Sequence, residues 1–237
     1  MGAESEGELG QAVAVGSPEF TTVDGEGALY LEGFDAVEFP QSMSAGLNHS
    51  DRARFSMDFY LNDAYFDNSY PESAGASSDY QGHEGEGFRV LMSNHFITDD
   101  RDLGFSISVE RYEDDENFGL RLQVTQPPDN HFIHPILDRG LSFDRWYSLR
   151  VTFDFTLDHP TVEVLLDADR FLYVMAPTID DLDCWKDHLN ESPIRIGSDI
   201  SGSRGFGLEW TEVSPGQWEE VGTVPSIGTY VRDFRAT

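Results

Sequence analysis

The feature that most restricts the fold of this chain is a hydrophobic period of two. In residues 54–61 (RFSMDFYL) Phe55, Met57 and Phe59 fall at every second position, and the alternation recurs in residues 88–92, 105–109, 120–124, 147–155 and 162–166. Successive side chains of an extended strand point to opposite faces, so each segment is apolar on one side and wettable on the other. No such strand can bury its apolar side alone. Many of them, divided by Gly, Pro, Asn and Asp turns, predict an all-β sandwich or barrel. Residues 28–39 (ALYLEGFDAVEF) read as a short hairpin turning at Gly33-Phe34-Asp35. Capped helical periodicity is confined to residues 179–189 (IDDLDCWKDHL).

At 237 residues the chain is long enough to bury a core without cross-links, as one sandwich of residues 21–237 behind a polar, Gly-rich lead-in of residues 1–20. Cys184 is the only cysteine and has no intramolecular partner. Phe55, Phe59, Phe105, Trp146 and Phe153 are expected in the core. Residues 62–87, 126–140 and 177–193 read as long loops, where a sandwich carries its specificity.

The net charge is −29, from 44 acidic and 15 basic residues, and Lys186 is the only lysine. The acids are spread along the chain, so they describe a charged surface and not an acidic tail. Such a surface repels itself at ordinary ionic strength, whereas at 1 M salt the Debye length falls to about 3 Å and the repulsion is screened. A hypersaline setting is the expectation, and nucleic acid is disfavoured as a partner. Residues 1–9 lack the basic and apolar regions of a signal peptide, which predicts cytoplasmic synthesis. No run of 18 apolar residues predicts membrane insertion. The sequons at Asn48 and Asn190 read as chance matches in an unexported chain.

Four stretches, taken in order, resemble the laminin-G-like family of the concanavalin A-like superfamily. Residues 27–40 (GALYLEGFDAVEFP) are similar to its opening, 144–154 (DRWYSLRVTFD) followed by 162–167 (VEVLLD) to its central Trp-Tyr strand and hairpin, 193–197 (PIRIG) to its Ile-Gly strand, and 228–235 (GTYVRDFR) to its closing strand. The resemblance implies a two-sheet antiparallel jelly-roll sandwich whose last strand pairs with its first. Two departures stand out: Asp167-Ala168-Asp169 replaces the usual Asp-Gly hairpin, and Phe59 stands where the family has Trp.

Glycosidases of that superfamily set two carboxylates on one strand face as Glu-x-Asp-x-x-Glu, and Glu110-Arg111-Tyr112-Glu113-Asp114-Asp115-Glu116 misses the pattern. Glu209-Trp210-Thr211-Glu212 does no better. His131 and His134 lack a helix to align them on a metal. No nucleophile elbow, phosphate loop or dinucleotide fingerprint occurs. The superfamily often holds calcium through rim-loop oxygens, which makes calcium the candidate cofactor, with Asp99, Asp100 and Asp102, or Asp180, Asp181 and Asp183, as ligands. Tyr65, Phe66, Tyr70 and Tyr80, among small polar neighbours in the first long loop, and Trp185 are the candidate ligand contacts; Trp218 is a further one.

The expected function is therefore non-enzymatic recognition of a glycan or cell-surface partner in high salt. In a virion this would be a structural or receptor-binding protein, with other virion proteins as partners. Two alternatives stand beside it: a hydrolase or lyase of the same fold whose catalytic groups lie apart in sequence, and an assembly subunit that packs against other copies of itself.

Overall fold

The computed structural model describes residues 12–31, 35–39, 52–61, 88–94, 96–97, 102–111, 118–126, 131–133, 136–156, 161–174, 193–197, 207–214, 217–224 and 229–236. Eighteen strands run in chain order. They are β1 (Val13–Val15), β2 (Glu19–Val23), β3 (Glu26–Leu31), β4 (Ala36–Phe39), β5 (Arg52–Leu61), β6 (Phe88–Ser93), β7 (Phe96–Ile97), β8 (Asp102–Arg111) and β9 (Phe118–Gln126). After these come β10 (His131–Ile133), β11 (Ile136–Leu141), β12 (Arg145–Asp154), β13 (Thr161–Leu166), β14 (Asp169–Val174), β15 (Ile194–Ile196), β16 (Gly207–Ser214), β17 (Gln217–Val224) and β18 (Thr229–Ala236).

Every pairing among the described strands is antiparallel, and two sheets make a jelly-roll sandwich. A seven-stranded sheet has the order β14-β13-β12-β5-β18-β3-β2. A nine-stranded sheet runs β1-β4-β15-β6-β8-β9-β10, with β11 also on β9 and β7 on β8. The β16–β17 hairpin stands as its own pair.

The period of two fixes what lies between the sheets. Ala53, Phe55, Met57, Phe59 and Leu61 from β5, and Tyr147, Leu149, Val151 and Phe153 from β12, meet Phe105, Ile107 and Val109 from β8 and Leu120, Leu122 and Val124 from β9 in one cluster. Phe55 and Phe105 lie with ring centroids 5.7 Å apart across the sheets, and Phe105 sits 4.8 Å from Phe153. Burying one such aromatic side chain contributes roughly 1.5–3 kcal/mol.

The same parity corrects the expectation for Trp146. With Tyr147 and Leu149 facing inward, its neighbour must face outward, and Trp146 is half-buried directly opposite Tyr60 on the outer face.

Strand pairing begins at Val13, inside the stretch read as a lead-in: β1 pairs with β4, and β2 with β3. Nor do residues 28–39 form a hairpin. The chain leaves the seven-stranded sheet after β3 and enters the nine-stranded one at β4. The link between β1 and β2 crosses between the sheets as well, and the two crossings are tied, because the Ser17 N–H donates to Asp35 Oδ1 at 2.7 Å. The stretch 126–140, read as a loop, contains β10 and β11, both paired with β9.

The closing strand does meet the first long strand, with Tyr230 opposite Tyr30, and lies between β3 and β5. The helix expected over 179–189 lies outside the described residues, and the described residues contain no helix.

Candidate ligand-binding face

A sandwich offers two outer faces, and here they differ in chemistry. On the seven-stranded sheet the register aligns Trp146, Tyr60, Tyr230 and Tyr30 across β12, β5, β18 and β3. Their ring centroids are 5.4, 5.9 and 4.8 Å apart, at interplanar angles of 59°, 79° and 38°. Rings tilted against one another satisfy each other and leave no flat platform. The Arg232 guanidinium lies 4.0 Å over the Trp146 ring and is held by Asp58 and Glu26. Burial, then the charges of Asp144 and Asp24, push the Tyr60 hydroxyl above its ordinary pKa. This face is a closed aromatic patch with an acidic rim.

The outer face of the nine-stranded sheet is polar and recessed. On β8 the inward Phe105, Ile107 and Val109 leave Ser106 and Ser108 outward. Ser93 of β6 stands opposite Ser106, and Arg195 of β15 opposite Ser93. Glu38 of β4 stands opposite Arg195, and its carboxylate oxygen Oε2 accepts from both Nη2 (2.7 Å) and Nε (3.3 Å). On the other side, β9 places Gln123 opposite Ser106 and Arg121 opposite Ser108.

A polar strip thus crosses five strands. Its floor of serine hydroxyls is buried (Ser93 0%, Ser106 5%, Ser108 2%), while the half-buried Arg195 and Arg121 rise on either side. Strands lie about 4.8 Å apart, so β15 and β9 stand roughly 14 Å from each other.

The chemistry of that floor is specific. A serine hydroxyl both donates and accepts, whereas guanidinium only donates, so the strip offers both halves of the bond that a sugar hydroxyl makes. The Glu38–Arg195 pair fixes one wall: it is partly shielded from water and ties β4 to β15.

Of the residues singled out from sequence the structure describes few. Tyr65, Phe66, Tyr70, Tyr80, Trp185, Asp99, Asp100, Asp180, Asp181 and Asp183 are outside the described residues. Asp102 opens β8, opposite Ile97 of β7. Among the described residues no three His, Cys, Asp or Glu side chains converge as a metal site. They contain no helix long and apolar enough to cross a membrane.

The strip was missed because its side chains are small. The signal available was a contrast: in a chain with 44 acids, two successive outward positions of FSISVE are serine.

Fold and strip together define a jelly-roll sandwich with a polar, recessed sheet face. Among solved structures the chain is similar to full-length tailspike protein 2 of an Escherichia coli O157:H7 bacteriophage, with a TM-score of 0.52 and 11% identity over 95% of this chain and 26% of that one. It is likewise similar to the enzymatically active domain of tailspike protein 2 from bacteriophage CBA120, with a TM-score of 0.51 and 11% identity over 95% of this chain and 29% of that one. The chain therefore spans under a third of those proteins. A weaker likeness, TM-score 0.41 at 10% identity over 95% of this chain and 94% of the other, extends to winged bean acidic lectin complexed with methyl-α-D-galactose. No protein-family profile and no curated protein sequence matches the chain.

Proposed function

We propose that this chain is a glycan-recognition domain that holds its ligand on the nine-stranded sheet, through the half-buried Arg195 and Arg121 that border a buried serine row. The carrying observation is this pair of partly exposed guanidinium groups on either side of Ser93, Ser106 and Ser108. The order of the four sequence stretches supports a laminin-G-like variant of the fold. The charge of −29 supports work in concentrated salt, where repulsion between an acidic surface and a glycan-coated one is screened.

A binding function suits the strip better than hydrolysis. A glycosidase needs two carboxyl groups about 5–9.5 Å apart across the scissile bond. Among the strip's described side chains Glu38 is the one carboxylate, and it is paired with Arg195. The similar tailspike domain is an enzymatically active one, which keeps turnover as the alternative to test. A receptor-binding protein of a virion, made in the cytoplasm of a halophile, is the setting this reading favours, with calcium held by rim loops as its cofactor.

The test is retention of the purified chain on a panel of immobilised neutral and acidic polysaccharides in about 2 M sodium chloride, with reducing ends assayed in parallel. Retention on at least one polysaccharide without new reducing ends is expected. Passage through every column contradicts the reading, and release of reducing ends converts it to the enzymatic one.

A further inference from the structure

The aromatic patch around Tyr60 covers one end of the seven-stranded sheet's outer face. Toward the other end the register continues across β14, β13, β12, β5 and β18. One row runs Arg170, Leu165, Arg150, Ser56 and Arg235, and the next runs Leu172, Glu163, Thr152 and Arg54. These side chains share the outer face, because Phe55, Val151 and Val164, which alternate with them, lie in the core.

Charge here runs against the rest of the chain, which has 44 acidic to 15 basic residues. Over these five strands the outward side carries six arginines, Arg52, Arg54, Arg150, Arg170, Arg232 and Arg235, against the carboxylates Asp58, Asp154 and Glu163. Counting Asp233 at the β18 bulge, 3.9 Å from Arg235, still leaves six against four. The three strand carboxylates are already engaged: Asp154 holds Arg52, Glu163 holds Arg170 and Asp58 holds Arg232. Arg54 and Arg150 are exposed and form no ion pair among the described residues. Both border Ser56, Arg150 directly opposite it and Arg54 two residues along β5, while Arg235 stands opposite Ser56 on the far side. Guanidinium only donates, so the matching ligand brings anionic acceptor oxygens.

We infer that this end of the face docks an acidic protein partner, whose carboxylates meet Arg54, Arg150 and Arg235 while its apolar side chains cover Leu172 and Val174. The apolar groups select a protein over other polyanions. Leu172 is 53% and Val174 51% exposed, two of the three exposed large hydrophobics among the described residues, and the half-buried Leu165 lies between Arg170 and Arg150. A sulfated polysaccharide offers little aliphatic surface to set against them, whereas arginine beside apolar side chains is the composition of protein interfaces. The planar guanidinium also grips a carboxylate through two parallel hydrogen bonds. Apolar cover around such a pair excludes water and weakens its screening, which lets it persist in salt.

This docking face lies on the opposite sheet from the serine row and does not depend on the glycan reading. Its test is fluorescence anisotropy of a labelled, glutamate-rich copolymer with leucine, titrated with the intact chain in about 0.5 M sodium chloride, with heparin as competitor. Binding of the copolymer is expected. The double variant Arg54→Gln/Arg150→Gln should weaken it about tenfold or more, and Leu172→Ser, which changes no charge, about threefold or more. All three positions are exposed, so both variants should fold, and unchanged circular dichroism spectra check that. No binding of the copolymer, or wild-type affinity in either variant, would overturn the inference. Heparin displacing the copolymer from wild type and from Leu172→Ser alike would assign the face to a sulfated polymer and overturn it too.

Discussion

Gly16 has φ +77°, and a Cβ there would lie 2.2 Å from Asp35 Oδ1, the oxygen that accepts from Ser17 N–H. Gly16→Ala should therefore cost about 2 kcal/mol or more, read as a lowered Tm, and should cost less in an Asp35→Ala background, where the clashing oxygen is gone. Equal losses in both backgrounds would refute the contact. Among the described residues the four non-glycine positions at positive φ, Asp24, Asp144, Asp167 and Asp233, are all aspartates, whose short polar side chains tolerate that region. Asp167 shows the benefit: its carboxylate accepts from Ser148 N–H at 2.9 Å and pairs with Arg145, so the hairpin closes without the family's glycine.

Asp154 gives the pH signature. Burial pushes its carboxyl up, but hydrogen bonds from Thr156 and Arg52, with the Arg52 charge, outweigh that and hold it below the ordinary carboxylate value. A depressed folded-state pKa stabilises the fold above the unfolded-state pKa, and this contribution is lost as pH falls through the folded-state value. Asp154→Asn should cost about 1 kcal/mol at neutral pH, with the gap to wild type closing in acid. Parallel stability curves would contradict it.

At the scale of elements, a strand was legible wherever its inward positions were large and apolar, as in β5, β8, β9, β12 and β13. What the period of two does not encode is which strands are neighbours. The segment around Gly33-Phe34-Asp35 carries hairpin composition, yet its two strands belong to different sheets, because β4 pairs with β1 and β15 and β3 with β2 and β18. Trp146 was misjudged for a related reason: size suggested core, whereas parity with Tyr147 decided the face. The candidate site was illegible for the opposite cause, since Ser93 meets Ser106 only through the β6–β8 pairing and Arg195 joins them from the far end of the chain. The Glu38–Arg195 pair joins residues 157 positions apart. Arg195→Gln should loosen that wall and weaken glycan retention while leaving the thermal transition within a few degrees, because partly exposed ion pairs contribute about 1 kcal/mol or less. Full retention by this variant would remove Arg195 from the site.

For the molecule as a whole, charge and architecture act together. A net charge of −29 opposes compactness, and salt relieves that opposition. Tm should therefore climb steeply between about 0.1 and 2 M sodium chloride and then level, as the Debye length falls from about 10 Å toward the contact distance. A further rise from millimolar calcium at fixed ionic strength would reveal a specific site, and no added rise would dismiss calcium. A sandwich whose sheets share one core leaves both outer faces free to specialise, one as an aromatic patch closed on itself and the other as a recessed polar strip.

The most direct measurement is polysaccharide retention by Arg121→Gln beside wild type in the same concentrated salt, with circular dichroism confirming equal folding. The substitution removes the charge of a partly exposed side chain opposite Ser108. Wild-type retention lost in the variant is the outcome expected here; retention by both proteins alike would place the ligand elsewhere.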